Sequence, residues 1–465
     1  MITRSLAVTA LAAAFSASLI FAAELQPPPI DLGRPSLKQS EEPAIRTPDF
    51  HGRDPLGAAC AWFREFKRDV TADPADPHSD QMLARLVKGK GTIDAQWSGS
   101  WTPADWNWYT IPFQVVRGDT PVLTVPGTWA YNPASKGPYM LPPEPVVYES
   151  SLRTTYATEK WTDGADHHLF VYVRDESTGG FKELWEYYQP YVTFNDKHEI
   201  AAVAGASWRR FDLKNGENPA AGVPSTDAAG MPFMPLCVRY DEVATGRINH
   251  ALRFCVNNSD IAPNFKWPAR SNARAWNPTT GMPYGTRLRI KADWWKANAD
   301  TVLGKNTQAR IIGQALRTYG CILADGSGGT SIQLQGVADM RWEKQLHTRL
   351  NSIPCSALEV VATPPTLKID GPTKLKVGQK AEWTFTFLPD ESPVGEGSNI
   401  NLYAISGPAS ADGKEKLLKY QFATIDENHR KISANYTFQQ PGTYTIKPYQ
   451  DWNTGFGVYT IAVEP

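Results

Sequence analysis

The stretch 225–254 holds the densest group of chemically active side chains in this 465-residue sequence. Three carboxylates, three arginines, a tyrosine and a histidine fall within these thirty residues. Glycosidases use two carboxylic acids across the scissile bond, one protonated and one ionised, about 5 to 9 Å apart. Asp227, Asp241 and Glu242 supply such acids here, and Asp325 supplies a fourth further along the chain. These residues predict an enzyme that cleaves a glycosidic bond.

The same stretch also contains the residues that a polysaccharide lyase would need. His250 or Tyr240 could act as the base that removes a proton alpha to a uronate carboxylate, since histidine titrates near neutral pH. Arg239 or Arg253 could neutralise that carboxylate. A structural alternative also stands for two of these side chains. His250 could be hydrogen-bonded at the start of a strand, and Arg239 could form an ion pair in a β core.

Strand periodicity predicts how two of the acids are arranged. Residues 239–242 have the pattern of the end of a strand, and neighbouring side chains on a strand point to opposite faces. Asp241 and Glu242 therefore could not both face one cleft. We expect a shared cleft in which one of them meets His250 and Asp325.

A well-marked helix precedes Asp325. Residues 307–319 carry one apolar face, Thr307 or Asn306 can cap the first turn, and Gly320 lies where a left-handed C-terminal cap belongs. A buried strand should follow and deliver Asp325 to a glycine-rich turn, where loop carboxylates often serve a site. Shorter helical patterns lie at 58–70 and 80–87. Between residues 92 and 200, the segments 109–116, 122–125, 168–173 and 182–188 alternate as strands do.

Aromatic residues suggest a second kind of site. Trp101, Trp106, Trp108 and Tyr109 lie close together among small polar residues, with Trp97 just before them. Indole and phenol rings stack on the apolar faces of sugar rings, and polar neighbours bind the hydroxyl groups. We expect these residues to bind substrate. The alternative is burial, because large aromatics fill β-sandwich cores.

The first residues resemble an export signal. Arg4 precedes an apolar segment that ends at Ala22 and Ala23, which predicts a signal peptide over 1–23 and a secreted or periplasmic protein. A retained anchor is the alternative. No later segment is long and apolar enough to cross a membrane. Residues 24–57 are rich in proline and charge and predict a tether or a surface strap.

Charge and motifs exclude several function classes. Without residues 1–23 the chain has 46 basic and 48 acidic side chains, so there is no electrostatic case for nucleic acid as a partner. The sequence has no phosphate-binding loop, dinucleotide fingerprint or nucleophile elbow, so we predict no cofactor. His167, His168 and His250 could join Asp166 or Asp325 around a metal, but their spacing matches no metal motif, and none is predicted. The expected partner is a polysaccharide or glycan.

The five cysteines suggest disulfides in an exported chain. One or two disulfides are expected: Cys237 and Cys255 could lie on neighbouring strands, and Cys321 and Cys355 bracket a later unit, but the sequence does not fix the connectivity. Cys60 is then the odd residue, and its apolar surroundings predict a buried, inert thiol.

A stiff joint at residues 363–366, Thr-Pro-Pro-Thr, divides the chain. We predict an all-β protein with a large β-sandwich or jelly-roll-like domain over 58–362 that carries one packed helix. Residues 363–465 end in strands such as Pro441-Gly-Thr-Tyr-Thr-Ile and resemble bacterial immunoglobulin-like modules, which are seven-strand sandwiches of this size.

Six segments between residues 166 and 342 of the large domain together resemble a widespread group of secreted, largely uncharacterised bacterial proteins. The resemblance covers roughly residues 85–362. It implies the domain limits, and its members are often exported by polysaccharide-degrading organisms. A noncatalytic glycan-binding or surface-attached protein therefore stands as an alternative to the enzyme. The segments that carry the resemblance are Asp166-His-His-Leu-Phe-Val-Tyr-Val-Arg-Asp, Glu183-Leu-Trp-Glu-Tyr, residues 227–254, Pro283-Tyr-Gly-Thr-Arg-Leu-Arg-Ile-Lys-Ala, Ala315-Leu-Arg-Thr-Tyr-Gly-Cys-Ile-Leu-Ala-Asp and Ala338-Asp-Met-Arg-Trp.

Overall fold

The fold is described from a computed structural model of the full chain. The predicted signal peptide, most of the predicted tether, and Trp101, Trp106, Trp108 and Tyr109 lie outside the residues that the structure describes. The described residues are 50, 53–95, 97, 111, 113–131, 137–142, 145, 155–217, 219, 225–271, 281–329, 331–337, 339, 341–363, 367–387, 402–409, 415–422, 424–425, 432–448 and 459–465.

Strands account for more residues than helices, and they form several sheets, so the predicted all-β, sandwich-like class is confirmed. The described helices are α1 (Ala61–Glu65), α2 (Ser79–Lys88), α3 (Tyr240–Ala244), α4 (Ala292–Val302), α5 (Gln308–Thr318) and α6 (Leu346–Asn351). The strands before residue 363 are β1 (Ile93–Asp94), β2 (Gln114–Val116), β3 (Gly127–Trp129), β4 (His168–Arg174), β5 (Phe181–Tyr188), β6 (Tyr191–Phe194), β7 (Ile200–Gly205), β8 (Ser207–Asp212), β9 (Leu252–Asn257), β10 (Ile261–Phe265), β11 (Met282–Tyr284), β12 (Arg287–Ile290), β13 (Cys321–Ser327), β14 (Ile332–Leu334) and β15 (Leu358–Val360). The later strands are β16 (Leu367–Asp370), β17 (Lys374–Lys376), β18 (Lys380–Phe387), β19 (Leu402–Ala409), β20 (Glu415–Phe422), β21 (Thr424–Ile425), β22 (Ile432–Thr437), β23 (Gly442–Pro448) and β24 (Tyr459–Glu464).

A four-stranded sheet, ordered β2-β4-β5-β8, is buried on both faces. Val171 and Trp185 on one face share a hydrophobic core with Val203 of the three-stranded sheet β3-β7-β6. Phe170 and Leu184 on the other face belong to the main core of the protein. Because both faces are covered, β4 is apolar almost without interruption. The two sheets form the sandwich that the alternating sequence predicts.

A mixed six-stranded sheet, ordered β1-β14-β9-β13-β12-β15, contributes to the main core. Helix α2 packs against β15, α5 against β12, and α6 against β1. The predicted helix is α5: the Thr307 hydroxyl accepts a hydrogen bond from the Arg310 amide, and Gly320 has a φ of 74°. Helix α4 packs on α5, and its two adjacent tryptophans, Trp294 and Trp295, are half-buried against the main core.

The last part of the chain forms two further sheets, β16-β18-β22-β21 and β17-β24-β23-β19-β20. Trp383 of the first sheet and Ile405 and Ile461 of the second are buried in one hydrophobic cluster. Phe438 links the sheets, since its ring lies 4.5 Å from that of Tyr444 and 4.9 Å from that of Tyr436. This arrangement is a β-sandwich.

The predicted disulfides are wrong, because all five cysteines are free thiols in the buried interior. Cys255 lies within β9 and Cys321 within β13, while Cys237 and Cys355 lie at 3-10 turns. Each side chain is packed as a small apolar group, which spacing along the sequence could not show. Burial raises the pKa of the Cys237 thiol to about 12. The prediction that Cys60 is a buried thiol is confirmed.

Within the described parts of the chain, no helix is long and apolar enough to span a bilayer.

Candidate functional site

The segment 225–237 lies between the four-stranded and the six-stranded sheets, and Phe233 marks the contact. Its ring centroid lies 5.0 Å from that of Phe170 and 4.8 Å from that of His168, both on β4. On the other side, the guanidinium carbon of Arg253 on β9 lies 3.3 Å from the Phe233 ring centroid. Arg253 is fully buried, so this cation–π contact stands in for solvation of its charge. The segment therefore connects the two sheets through an arginine.

A β-bulge on β13 turns Asp325 toward that arginine. Strands β9 and β13 run parallel, and their register shifts so that Asp325, rather than Ala324, pairs with Cys255. An extra residue of this kind re-aims the side chains that follow it. Because side chains alternate along a strand, the bulge places Asp325 on the face that carries Cys255 and Arg253. A regular register would turn Asp325 to the opposite face.

The turn that carries Asp227 docks on the same bulge. The Ala229 amide donates to the carbonyl oxygen of the bulged Ala324 at 2.9 Å and to Asp227 Oδ1 at 2.7 Å. Arg253 Nη2 donates to Asp227 Oδ2 at 3.0 Å, with both side chains inaccessible to solvent. We call Asp227, Arg253 and Asp325 the Arg253 cluster.

The two carboxyl groups of the Arg253 cluster have unequal environments. Burial raises the pKa of Asp227 to about 8, opposing the effect of Arg253, and Asp325 raises it further. Burial also raises the pKa of Asp325, to about 6, with Arg253 opposing and Asp166 adding to the rise. Carboxyl groups that hold protons near neutral pH are what general acid catalysis requires.

Asp325 is the member of the Arg253 cluster that solvent reaches, since it is half-buried while Asp227 and Arg253 are enclosed. Asp166, which is exposed just before β4, lies within electrostatic range of Asp325. The half-buried Tyr188 donates its hydroxyl hydrogen to Asp166 Oδ1 at 3.0 Å. Burial raises the pKa of Tyr188, and the charges of Asp166 and Asp325 raise it further. We call Asp166, Tyr188 and Asp325 the acid mouth.

An exposed aromatic side chain stands next to the acid mouth. Tyr131 is 57% exposed, and its electrostatic influence raises the pKa of Tyr188 further. The Tyr131 amide donates to the Ala206 carbonyl at 2.8 Å, and the Ala206 amide donates to the Tyr188 carbonyl at 3.0 Å. The backbone of Ala206 thus bridges the two tyrosines, and the exposed ring of Tyr131 lies within electrostatic range of Tyr188.

The remaining predicted residues form a second group, which we call the Arg239 cluster. Arg239 Nε donates to Asp241 Oδ1 at 3.2 Å, and its Nη2 lies 2.7 Å from Glu242 Oε1. Asp241 Oδ2 accepts the Phe50 amide at 3.1 Å, and the Arg239 guanidinium carbon lies 4.6 Å from the Phe50 ring centroid. His250 completes the cluster through Glu242. These contacts anchor the chain near residue 50.

The predicted strand at 239–242 is wrong, because Tyr240–Ala244 is the short helix α3 with Arg239 at its N-cap position. In a helix, neighbouring side chains are 100° apart, so Asp241 and Glu242 both reach Arg239. Acids are also favoured in a first helical turn by the backbone dipole. Four residues are too few for sequence periodicity to distinguish one helical turn from the end of a strand.

His250 is bonded on both ring nitrogens. Nδ1 lies 2.8 Å from the Ala251 carbonyl oxygen, and Nε2 lies 3.0 Å from Glu242 Oε1. Both partners are acceptors, so the imidazole satisfies both only when each nitrogen carries a hydrogen. A general base needs a nitrogen lone pair that faces substrate. This buried geometry is that of a hydrogen-bond partner of Glu242.

The six predicted catalytic residues therefore divide into two groups. Asp325 shares the Arg253 cluster with Asp227, whereas Arg239, Asp241, Glu242 and His250 contact one another. The expectation that Asp325 meets His250 and one adjacent acid is not met by any described contact. Cys237 lies within the electrostatic reach of both Arg253 and Arg239, so it stands between the groups.

Sequence reasoning missed Tyr188 and Tyr131, and considered Asp166 only as a metal ligand. Asp166 lies two residues before the predicted strand at 168–173, which is a signal comparable to the one used for Asp325. Tyr188 ends a predicted strand, and nothing local to Tyr131 distinguishes it from the other tyrosines. Trp97 is part of the core: its indole donates to the Leu334 carbonyl at 3.0 Å.

Among the described residues, no three histidine, cysteine, aspartate or glutamate side chains are grouped to hold a metal ion. His167 stacks on Trp161 at 3.6 Å and bonds to Asp163, while His250 bonds to Glu242. The histidines that could have formed a metal set thus have different partners.

Comparison with known proteins identifies no family for this chain. No family model matches it, and no curated protein matches it. Among solved structures, a superoxide reductase (neelaredoxin) from Ignicoccus hospitalis matches at 14% identity with a TM-score of 0.16, over 21% of this chain and 80% of that chain. A putative superoxide reductase from Thermotoga maritima matches at 11% identity with a TM-score of 0.16, over 22% and 89%. The PKD domain of an M14-like peptidase from a Thermoplasmatales archaeon matches at 16% identity with a TM-score of 0.13, over 22% and 96%. Similarities at these TM-scores carry no argument about function.

Proposed function

We propose that the protein is a secreted or periplasmic carbohydrate-active enzyme that cleaves glycosidic bonds at the acid mouth. The observation that carries this proposal is the partial burial of the Asp325 carboxyl group together with its raised pKa. Its half-buried carboxyl group has a pKa raised to about 6 by burial, and the exposed Asp166 lies near enough to raise that pKa further. Two neighbouring carboxyl groups with different environments are the arrangement that glycoside hydrolysis uses.

In this proposal Asp325 is the general acid that protonates the glycosidic oxygen. Asp166 supplies the ionised carboxylate, which either attacks the anomeric carbon or activates a water molecule. Tyr188 orients Asp166 through the 3.0 Å hydrogen bond to Oδ1. Asp227 and Arg253 are enclosed, so they act through Asp325 as positioning residues. Arg239, Asp241, Glu242 and His250 have a structural role in this account.

Export and glycan binding belong to the same proposal. They are supported by the apolar segment before Ala23, by the resemblance of residues 85–362 to secreted bacterial proteins, and by that of residues 363–465 to immunoglobulin-like modules. The exposed ring of Tyr131 near the acid mouth offers a face on which a sugar ring can stack.

A panel of neutral and uronate-containing polysaccharides tests the reaction class. The purified protein is incubated with each polymer, and both new reducing ends and the ultraviolet absorbance of unsaturated uronates are recorded. We expect new reducing ends without ultraviolet absorbance. Absorbance that rises with cleavage would mean elimination, as in a lyase, and would overturn the hydrolase proposal.

Noncatalytic glycan binding is the second candidate function. It is favoured by the burial of Asp227, Arg239, Asp241, Glu242 and His250, each less than one-tenth exposed and each in an ion pair or hydrogen bond. Such enclosed pairs are as typical of a structural core as of a catalytic site. Retardation of the protein in polysaccharide gels without any new reducing ends would support this candidate over the enzyme.

A further inference from the structure

Glu186 on β5 is a fully buried carboxylate with three partners on one segment. Its Oε1 accepts the amides of Phe233 at 2.9 Å and Met234 at 3.1 Å. Its Oε2 accepts the Thr226 hydroxyl at 2.9 Å. All three donors belong to the segment 225–237 that lies between the sheets. A buried carboxylate is costly unless such bonds satisfy it, so this arrangement is a specific clamp.

The three donors adjoin the two side chains that contact Arg253. Thr226 directly precedes Asp227, whose carboxylate accepts from Arg253 Nη2. Phe233 itself supplies the ring beneath the Arg253 guanidinium. Glu186 also shares its strand face with Tyr188 of the acid mouth, since the two residues are two positions apart. One carboxylate thus holds both ends of the segment against the site.

We propose that Glu186 is the positioning residue that holds Asp227 and Phe233 against Arg253 and thereby fixes the environment of Asp325. It does not touch the acid mouth and acts through the segment 225–237. The effect on catalysis rests on the proposed function of that mouth, whereas the effect on the segment and on Asp325 does not.

The charged groups around Glu186 fit this role. Burial raises its pKa to about 7, while the amides of Met234 and Phe233, the Thr226 hydroxyl and Arg253 oppose that rise. Arg209, paired with Glu186 in the register of β5 and β8, is also influenced by its charge. Hydrogen bonds therefore hold the Glu186 carboxyl group in place, and arginines from two sheets lie within electrostatic range of it.

Three variants test the clamp. Glu186→Ala removes every acceptor, whereas Glu186→Gln keeps Oε1 for the two amides and offers its amide group to the Thr226 hydroxyl. Thr226→Val removes only the hydrogen bond from the Thr226 hydroxyl to Glu186 Oε2. This milder variant is the one to use if Glu186→Ala folds poorly. Glu183→Gln is the matched control, because Glu183 lies on the same strand three positions away and bonds to Trp185 and Arg210 instead.

Hydrogen exchange of residues 225–237 and a carbon-13 NMR titration of the Asp325 carboxyl group are measured on the full chain. We expect Glu186→Ala to speed amide exchange in this segment by at least about tenfold and to move the titration midpoint of Asp325. Thr226→Val should show a smaller change in the same direction, and Glu186→Gln and Glu183→Gln should match the wild type.

The proposal is overturned if Glu186→Ala and Thr226→Val leave both measurements unchanged, or if Glu186→Gln behaves like Glu186→Ala. Neither measurement requires a substrate. Failure of the panel to show cleavage would therefore count against the proposed function alone. When a cleaved substrate is known, a fall in kcat with KM unchanged in Glu186→Ala, restored in Glu186→Gln, would extend the role to catalysis.

Discussion

Individual residues show how differently similar side chains are used here. Asp227 and Asp241 are both buried acids beside arginines, yet one lies in the Arg253 cluster and the other in the Arg239 cluster. Residue type identified both as ionic. Which arginine each aspartate contacts depends on which elements meet in space. Asp325 differs from both because solvent reaches it, and no local sequence pattern predicts solvent access.

Asp325 sets the pH dependence that we expect of catalysis. A general acid must carry its proton, and burial raises the pKa of Asp325 to about 6. The value of kcat/KM should therefore fall about tenfold per pH unit above about pH 6, where the acid loses its proton. Rates over a range of about pH 4 to 9 measure this. A profile that stays flat through pH 6 would exclude Asp325 as the acid.

Glu186 should make folding pH-dependent over a defined range. Its folded pKa of about 7 exceeds the ordinary glutamate value of 4.5, so the folded protein keeps a proton that the unfolded chain releases. Stability is therefore lost as pH rises from about 4.5 to about 7, by about 3 kcal/mol in all. Glu186→Gln should lack this loss. Urea denaturation of both proteins at several pH values measures it, and parallel curves would contradict the prediction.

At the scale of elements, periodicity identified the long and regular segments. The helix α5 and the strands β4, β5 and β13 have the pattern that the structure confirms. The short helix α3 was mistaken for a strand because it has only five residues. The bulge at Ala324 was also beyond local sequence, because it depends on the register between β9 and β13. That bulge places Asp325 on the side of Arg253. The sequence could therefore identify Asp325 as a candidate site residue, but not which other side chains it lies with.

The cap of α5 gives an element-scale prediction. Thr307 Oγ1 accepts the Arg310 amide at 3.1 Å and donates to the Leu303 carbonyl at 2.6 Å. Thr307→Ala removes both bonds and should lower the free energy of unfolding by about 1 kcal/mol. Thr307→Ser keeps the hydroxyl and should lose much less. Urea denaturation compares them, and equal losses would mean that the methyl group, not the cap, stabilises this turn.

At the scale of the whole molecule, the five cysteines lie in the buried interior as free thiols instead of forming the disulfides that we expected. Its cysteines are packed as apolar side chains, and burial raises the pKa of each of Cys237, Cys255, Cys321 and Cys355. A core of this extent needs no covalent link, since large domains bury most of their apolar surface.

Thiol counting tests this description of the core. When the protein is denatured without reductant, five thiols per chain should react with an aromatic disulfide reagent, because all five cysteines are free. The folded protein should react far more slowly, since the thiolate is the reactive form and burial disfavours it. If only three thiols, or only one, reacted in the denatured sample, the chain would contain one or two disulfides, and this would contradict the structure.

The central claim is that Asp325 and Asp166 act together at the acid mouth. The most direct measurement is the release of reducing ends from one cleaved polysaccharide by the wild type and by Asp325→Asn, Asp166→Asn and Asp119→Asn. Asp119 is the matched control, because its exposed carboxylate pairs with Arg117 in a turn. We predict that kcat falls by about 10²–10⁴-fold in Asp325→Asn and similarly in Asp166→Asn, with Asp119→Asn unchanged. Wild-type rates in folded Asp325→Asn would contradict the account.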